Sequence, residues 1–346
     1  MRPLLKRSKT IFWISVLSFL GSVSAMGIVR PVSHPASGPD SPYGVSGPWK
    51  KRLVHYFSDA AIHHAYQLNA SALKSLMAQS QKRHQPLLLL DVRQTNGPEG
   101  FRQGHIVGAR NIPLQHFGPE LMELVHASPT SPLWHEPIVV MCYDGDGANL
   151  VTVILRLFGF HAWNLGGGIG SWNQNMAVWL HKAPVNWPTM AGHVKGLQVT
   201  SSPKAGPDRL PRSLVRSVSR IFTRLYHPYP LGYGYPWTIN PGTLYAALHS
   251  AHAPEVIDLR STEAFRRGHI AGSINIPFAA LGQHLNLIHP KMKVVLVSQT
   301  LQTASQANTI LRLLGYHSYV LKMGMAGWQP STFSWPRSHK FPIVQG

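Results

Sequence analysis

Ile138–Met141 is a short, β-branched apolar run, and its length and composition predict a buried strand. Asn149–Phe158 is mostly apolar, lacks Gly and Pro, and is followed by Gly159, which predicts a buried helix with a glycine just past its end. Between them lie Cys142, Tyr143, Asp144, Gly145, Asp146, Gly147 and Ala148. The pattern puts a thiol at the carboxyl end of a strand, in a glycine-bearing loop that opens a helix. Open α/β sheets bind ligands at that end, and free backbone N–H groups there favour an anion. The expectation is a reactive cysteine whose pKa is lowered by the helix dipole. The competing reading is a small hydrophobe packed in the core.

The same succession of elements occurs twice. Tyr66–Asn69 with Leu73 returns as Trp237–Asn240 with Leu244, and Asp91-Val92-Arg93 returns as Asp258-Leu259-Arg260. Phe101–Gly108 returns as Phe265–Gly272, and Asn111-Ile112-Pro113 as Asn275-Ile276-Pro277. Leu155–His161 returns as Leu311–His317, and Trp172 as Trp328. Two copies of one domain follow, over 61–180 and 233–346. Each alternates short apolar strands with helices, so each is expected to be an α/β unit holding a mainly parallel sheet with helices on both faces.

Outside the repeats, Met1–Thr10 carries Arg2, Lys6, Arg7 and Lys9, Ile11–Leu20 is apolar, and Val23-Ser24-Ala25 has cleavage-site spacing. Residues 1–25 therefore read as a secretory signal peptide, or as an uncleaved anchor, since Ile11–Val29 is uncharged. Either places the bulk of the chain in the periplasm or outside the cell, or anchored to the inner membrane facing outward. Residues 26–60 are expected to be a Pro/Gly-rich spacer, with a first helix over His55–His64. Residues 181–232 read as a linker that includes an amphipathic helix over Arg209–Tyr226, with Arg212, Arg216, Arg220 and Arg224 every fourth residue. That basic face is either a solvated edge or a contact for an anionic membrane surface.

Charged residues make up 13% of the chain, with 32 Lys+Arg against 13 Asp+Glu and a net charge of +19. Basicity of this size suits solubility or an anionic partner. No aromatic-basic cluster carries a nucleic-acid motif, so nucleic acid is not an expected partner. Few carboxylates also suit an acidic medium, because few groups can lose native partners as pH falls. Cys142 is the only cysteine, which excludes an internal disulfide. No metal is expected: His63-His64 are adjacent on the chain, share no helical face and have no third ligand at a recognisable spacing.

As a set, these motifs resemble the rhodanese domain. They are the strand–Asp-x-Arg of Asp91–Arg93, the Glu-x-Phe-x-x-Gly-His-Ile-x-Gly-x-x-Asn-Ile-Pro of Glu99–Pro113, the strand–Cys–loop–helix of Val139–Ala148, and the Leu-Gly-Gly-Gly of Leu165–Trp172. The second copy has Asp258–Arg260, Glu263–Pro277, Val294–Ala304 and Leu321–Trp328. The resemblance implies a sulfurtransferase needing no cofactor. Cys142 would take a sulfane sulfur as a persulfide from thiosulfate, a polysulfide or a persulfide-bearing protein and pass it to a thiol-type acceptor. The backbone N–H groups of Tyr143–Ala148 would cradle the outer sulfur. Family members commonly carry an arginine where Gly147 stands, and Asp144 and Asp146 disfavour an anionic donor. In the second copy Ser298 replaces the cysteine and Lys322-Met323 replaces Gly166-Gly167. That copy is expected to be structural or regulatory, and the glycine run beside Cys142 is expected to serve the site. A non-catalytic binding or sulfur-carrier module is the alternative function. Phosphoester chemistry ranks last, since it requires a longer loop closed by arginine.

Overall fold

A computed structural model describes residues 48–97, 100–118, 120–121, 136–173, 176, 218 and 237–329. The elements of the first half are α1 (Pro48–Ile62), β1 (Gln67–Leu68), α2 (Ala70–Arg83), β2 (Leu88–Asp91), β3 (Arg110–Asn111), β4 (Ile138–Met141), α3 (Asp146–Leu157), β5 (Ala162–Leu165) and α4 (Gly168–Trp172). The second half contributes β6 (Thr238–Ile239), α5 (Pro241–Leu248), β7 (Glu255–Asp258), α6 (Thr262–Arg267), β8 (Ile274–Asn275), β9 (Lys293–Val297), α7 (Gln302–Leu313), β10 (His317–Leu321) and α8 (Gly324–Trp328).

Each half forms a five-stranded sheet, in the orders β1-β5-β4-β2-β3 and β6-β10-β9-β7-β8. All pairings are parallel, with Leu89 opposite Val139 and Val139 opposite Trp163 in the first sheet, and Val256 opposite Val295 in the second. The two α/β units expected from the repeat are thus present. Alternation along each strand divides its side chains between two cores. Val139 and Met141 pack with Leu73, Leu89, Leu165 and Trp172 on one face, while Ile138 and Val140 point to the other. In the second sheet Val295 and Val297 pack with Leu244 and Trp328, and Val294 and Leu296 face the opposite way. The inner faces of both sheets, with α3 and α7, share one continuous core.

The helices α3 and α7 meet in that shared core through polar groups at equivalent positions. Asp146 and Gln302 correspond in the repeat, as do Asn149 and Ser305. Asn149 Nδ2 donates to Gln302 Oε1 at 2.8 Å, and the Ser305 hydroxyl donates to Asp146 Oδ1. The two contacts mirror one another, as in a self-complementary dimer interface. Gln306 Nε2 adds bonds to Asn149 Oδ1 (2.7 Å) and to the Ala65 carbonyl (2.6 Å).

Other motif residues act alike in both halves. Arg93 forks onto Asp91 and donates to the Gly104 carbonyl, and Arg260 makes the same bonds to Asp258 and Gly268. His105 stacks on Phe101 and His269 on Phe265. Arg156 lies over Tyr66 and Trp163, and Arg312 over Trp237 and Tyr319. Features that persist beside Ser298 as well as beside Cys142 serve the fold.

Two expectations need correction. The spacer expected over 26–60 ends in α1, which begins at Pro48, seven residues before the helix expected at His55. Leu53, Tyr56, Phe57 and Ala60 form its buried face: Leu53 and Phe57 are fully covered, and Phe57 packs edge-on against Phe278 of the second half, with ring centroids 5.5 Å apart. Gly282 permits that approach, because a Cβ there would clash with the Val54 carbonyl. Helix α3 also starts earlier than expected, at Asp146, because Gly145 turns the chain at φ +102° and helical geometry follows at once. Asp146, Gly147 and Ala148 are therefore first-turn residues, and only Cys142–Gly145 precede the helix. Residues 1–47 and the arginines of the expected basic helix lie outside the described residues; of that helix Val218 is described, buried in the shared core. No helix among the described residues is long and apolar enough to cross a membrane.

Candidate active site

Cys142 follows the last residue of β4, the central strand of its sheet, so the sulfur stands where the strand gives way to α3. The strand end is fixed by two backbone bonds: Val92 N–H donates to the Met141 carbonyl at 2.8 Å, and Ile169 N–H to the Cys142 carbonyl at 2.8 Å. Two amides aim at the sulfur. Gly145 N–H donates to Sγ at 3.1 Å and Ala148 N–H at 3.4 Å. The first comes from the loop and the second from the opening turn of α3. Together they form the anion-favouring nest expected of a strand-to-helix turn.

Acid groups crowd the same turn. The thiol lies 3.8 Å from Asp144 Oδ1, which also accepts the Asp146 N–H at 3.0 Å. Burial raises the Asp144 carboxyl above its usual range, against the opposing pull of the Asp146 N–H and Lys322. Burial and then the Asp144 charge push Asp146 up to about 8, while the Ser305 hydroxyl and Lys322 act the other way. Lys322 belongs to the second half, so the charge balance of the loop depends on both repeats.

The expectation of a lowered thiol pKa is overturned. Cys142 is 2% exposed, and its thiol is pushed well above the ordinary value, first by burial and then by Asp144. The amides of Ala148, Asp144 and Gly145 oppose that shift without cancelling it. A thiolate in low dielectric beside a carboxylate is penalised more than these amide dipoles repay.

The glycine run is also reassigned. A Cβ on Gly168 would come within 2.5 Å of the Cys142 and Tyr143 carbonyl oxygens, and its counterpart Gly324 approaches Ser298 and Thr300 in the same way. Gly167 and its counterpart Met323 both adopt positive φ. A Cβ on Gly166 would make only ordinary contacts, the nearest at 3.5 Å. These positions join strand to helix in both halves, so their conformation does not depend on the cysteine.

In the second half the Ser298 hydroxyl donates to the Thr300 carbonyl at 2.6 Å and accepts the Ala304 N–H at 3.3 Å. Its hydroxyl proton goes to a carbonyl, which is no base. Among the described residues no group of three His, Cys, Asp or Glu could hold a metal ion.

Sequence reasoning misses Gln302. This side chain of α7 reaches across to the Cys142 loop, where its Nε2 donates to the Asp144 carbonyl at 2.8 Å. It lies so close to Gly145 that a Cβ there would clash with it. No motif marks it; the available signal is its correspondence with Asp146 in the repeat.

Fold and site together define a tandem α/β protein with one strand–cysteine–helix turn and one serine copy of that turn. A family model described as a rhodanese-like domain matches residues 69–175 and 240–331, more than half of the chain. The chain belongs to the rhodanese-like family. YibN, an uncharacterized protein of Escherichia coli strain K12, is 36% identical over 95 residues, which are 26% of this chain and 61% of YibN. The match thus spans about three-fifths of that relative's length. Among solved structures, a thiosulfate sulfurtransferase from Pseudomonas aeruginosa aligns with 86% of this chain and 50% of its own, at 16% identity and a TM-score of 0.30. A rhodanese-related protein from Thermoplasma volcanium aligns with 32% of this chain and 98% of its own, at 24% identity and a TM-score of 0.27.

Proposed function

We propose that this chain is a sulfurtransferase that carries a sulfane sulfur on Cys142. The observation that carries the reading is the pair of amides, Gly145 N–H and Ala148 N–H, directed at the one thiol sulfur in a rhodanese-like frame. In the first step the Cys142 thiol gives its proton to Asp144 Oδ1, the nearest acceptor. The Sγ then attacks the outer sulfur of a persulfide or polysulfide donor. A new S–S bond forms, the donor's S–S bond breaks, and the electron pair leaves on the donor's remaining sulfur as a thiolate. In the second step an acceptor thiolate attacks the outer sulfur of the Cys142 persulfide. The transferred sulfur leaves with the acceptor, and Cys142 departs as a thiolate that regains the proton from Asp144. The two amides bear on the sulfur that carries negative charge at the start and end of this cycle.

A persulfide or polysulfide suits the site better than thiosulfate. The Asp144 carboxyl stands 3.8 Å from the thiol, Asp146 opens the adjoining helix, and no arginine stands at Gly147 to bind a doubly charged donor. With Cys142 2% exposed, the covering atoms must move aside before any donor sulfur reaches it. Together with the amino-terminal pattern of a signal peptide, the reading is of an exported protein working in the periplasm or outside the cell.

Mass spectrometry tests the chemistry. Treatment with glutathione persulfide or polysulfide should add about 32 Da, one sulfur atom, at Cys142 of the native chain and nothing to Cys142→Ser. Absence of the adduct with thiosulfate, polysulfide and persulfide alike sinks the transfer reading. The buried thiol with a raised pKa favours a second reading, a non-catalytic binding module, and partner binding that persists in Cys142→Ala with no adduct in the native chain would select it.

A further inference from the structure

The peptide that joins Asp144 to Gly145 is held at both ends. Its N–H points at Cys142 Sγ, 3.1 Å away, and its carbonyl accepts from Gln302 Nε2 at 2.8 Å. The C=O and N–H of a trans peptide point in opposite directions, so a bond that fixes one fixes the other. The flanking residue Gly145, at φ +102°, has no side chain to resist rotation of that peptide plane. Gln302 is itself anchored. Its Oε1 accepts from Asn149 Nδ2, and Asn149 Oδ1 accepts from Gln306 Nε2. A bond network rooted in the second repeat therefore ends on the peptide that presents an amide to the sulfur of the first.

The reverse influence is weaker. Asp146, at the position equivalent to Gln302, is bonded to Ser305 on helix α7 and not to the Ser298 loop. We propose that Gln302 is a positioning residue for the chemistry of Cys142, contributed by the repeat that lacks a cysteine, and that it aims the Gly145 N–H at the sulfur. The role rests on the sulfurtransferase reading for its catalytic meaning, but its geometry is tested without any sulfur donor.

The variants are Gln302→Met, which keeps the bulk and removes the donor, and Gln302→Glu, which keeps the length and, once ionised, can only accept. Two measurements on the full chain read the effect. The first is hydrogen exchange of the Gly145 and Ala148 amides, followed by NMR. In both variants Gly145 should exchange about tenfold faster or more, while Ala148, held by the first turn of α3, stays within about twofold. The second is the pH profile of Cys142 alkylation by iodoacetamide, which reports on a single thiol because the chain has one cysteine. Loss of an aligned amide should move that profile to higher pH by about one unit.

General loosening of the fold would speed both amides together. That result, or an alkylation profile that stays where it is in the native chain, overturns the proposal. The persulfide assay run in parallel separates the two ideas. An adduct in the native chain with unmoved amides in the variants leaves the transfer chemistry standing and removes Gln302 from it. Selective acceleration of Gly145 with no adduct in the native chain establishes the aiming contact and removes the transfer reading.

Discussion

Asp146 carries the clearest pH consequence at the level of a single residue. Its carboxyl titrates near 8 in the fold, raised by burial and by Asp144, against an ordinary value of 3.8. The unfolded chain gives up this proton first, so native protein holds more protons than unfolded protein between those values. Stability from this group is complete below about pH 4 and is lost as pH rises toward 8, by at most about 1.4 kcal/mol per pH unit. Asp144, shifted the same way, adds to the trend. Denaturant unfolding between pH 5 and 8 should show this loss. Asp146→Asn should flatten it, because an amide oxygen still accepts from Ser305 and carries no proton to lose. A slope that is the same in Asp146→Asn and the native chain would assign the pH dependence elsewhere. This behaviour suits the acidic medium suggested by the low carboxylate count.

At the level of elements, the turn from β4 into α3 depends on the short helix α4 packed behind it. Gly168, at φ +61°, brings α4 against the Cys142 and Tyr143 carbonyls with no room for a Cβ. Gly168→Ala should cost about 2 kcal/mol or more in denaturant unfolding, from backbone strain and backbone displacement together. Gly324→Ala should cost a similar amount in the other half, and a neutral result at either position would show that α4 or α8 can slide away. The β4 strand and most of α3 are legible in the sequence because two apolar runs and Gly159 mark them. The repeat is legible because paired motifs such as Asp91–Arg93 and Asp258–Arg260 serve the same local bonds. The start of α3 is not, since Asp146-Gly147-Ala148 are as compatible with a loop as with a first turn. Nor is the burial of Cys142, because local pattern says which face of a helix is apolar and not which neighbour covers it. Gln302 and Ser305 carry no chemistry-bearing motif, and only the packing of α7 on α3 brings Gln302 to the cysteine loop and Ser305 to Asp146.

At the level of the whole molecule, α1 binds the halves together. It precedes the first repeat in sequence but seats Phe57 on Phe278 of the second, and Arg52 donates to the Leu157 carbonyl at the end of α3. Tyr56 donates to Gln306 at 3.1 Å in the polar network between the repeats. Phe57→Ala should lower stability by about 3–5 kcal/mol. It should unfold the second repeat together with the first, so two separate transitions in calorimetry would show that the halves fold independently. The seat of α1 also sets a timetable for synthesis. The helix leaves the ribosome before either sheet, yet the residue it covers, Phe278, is more than two hundred positions further along. Through most of translation Phe57 has no final partner, and α1 completes its packing only when the second repeat has emerged.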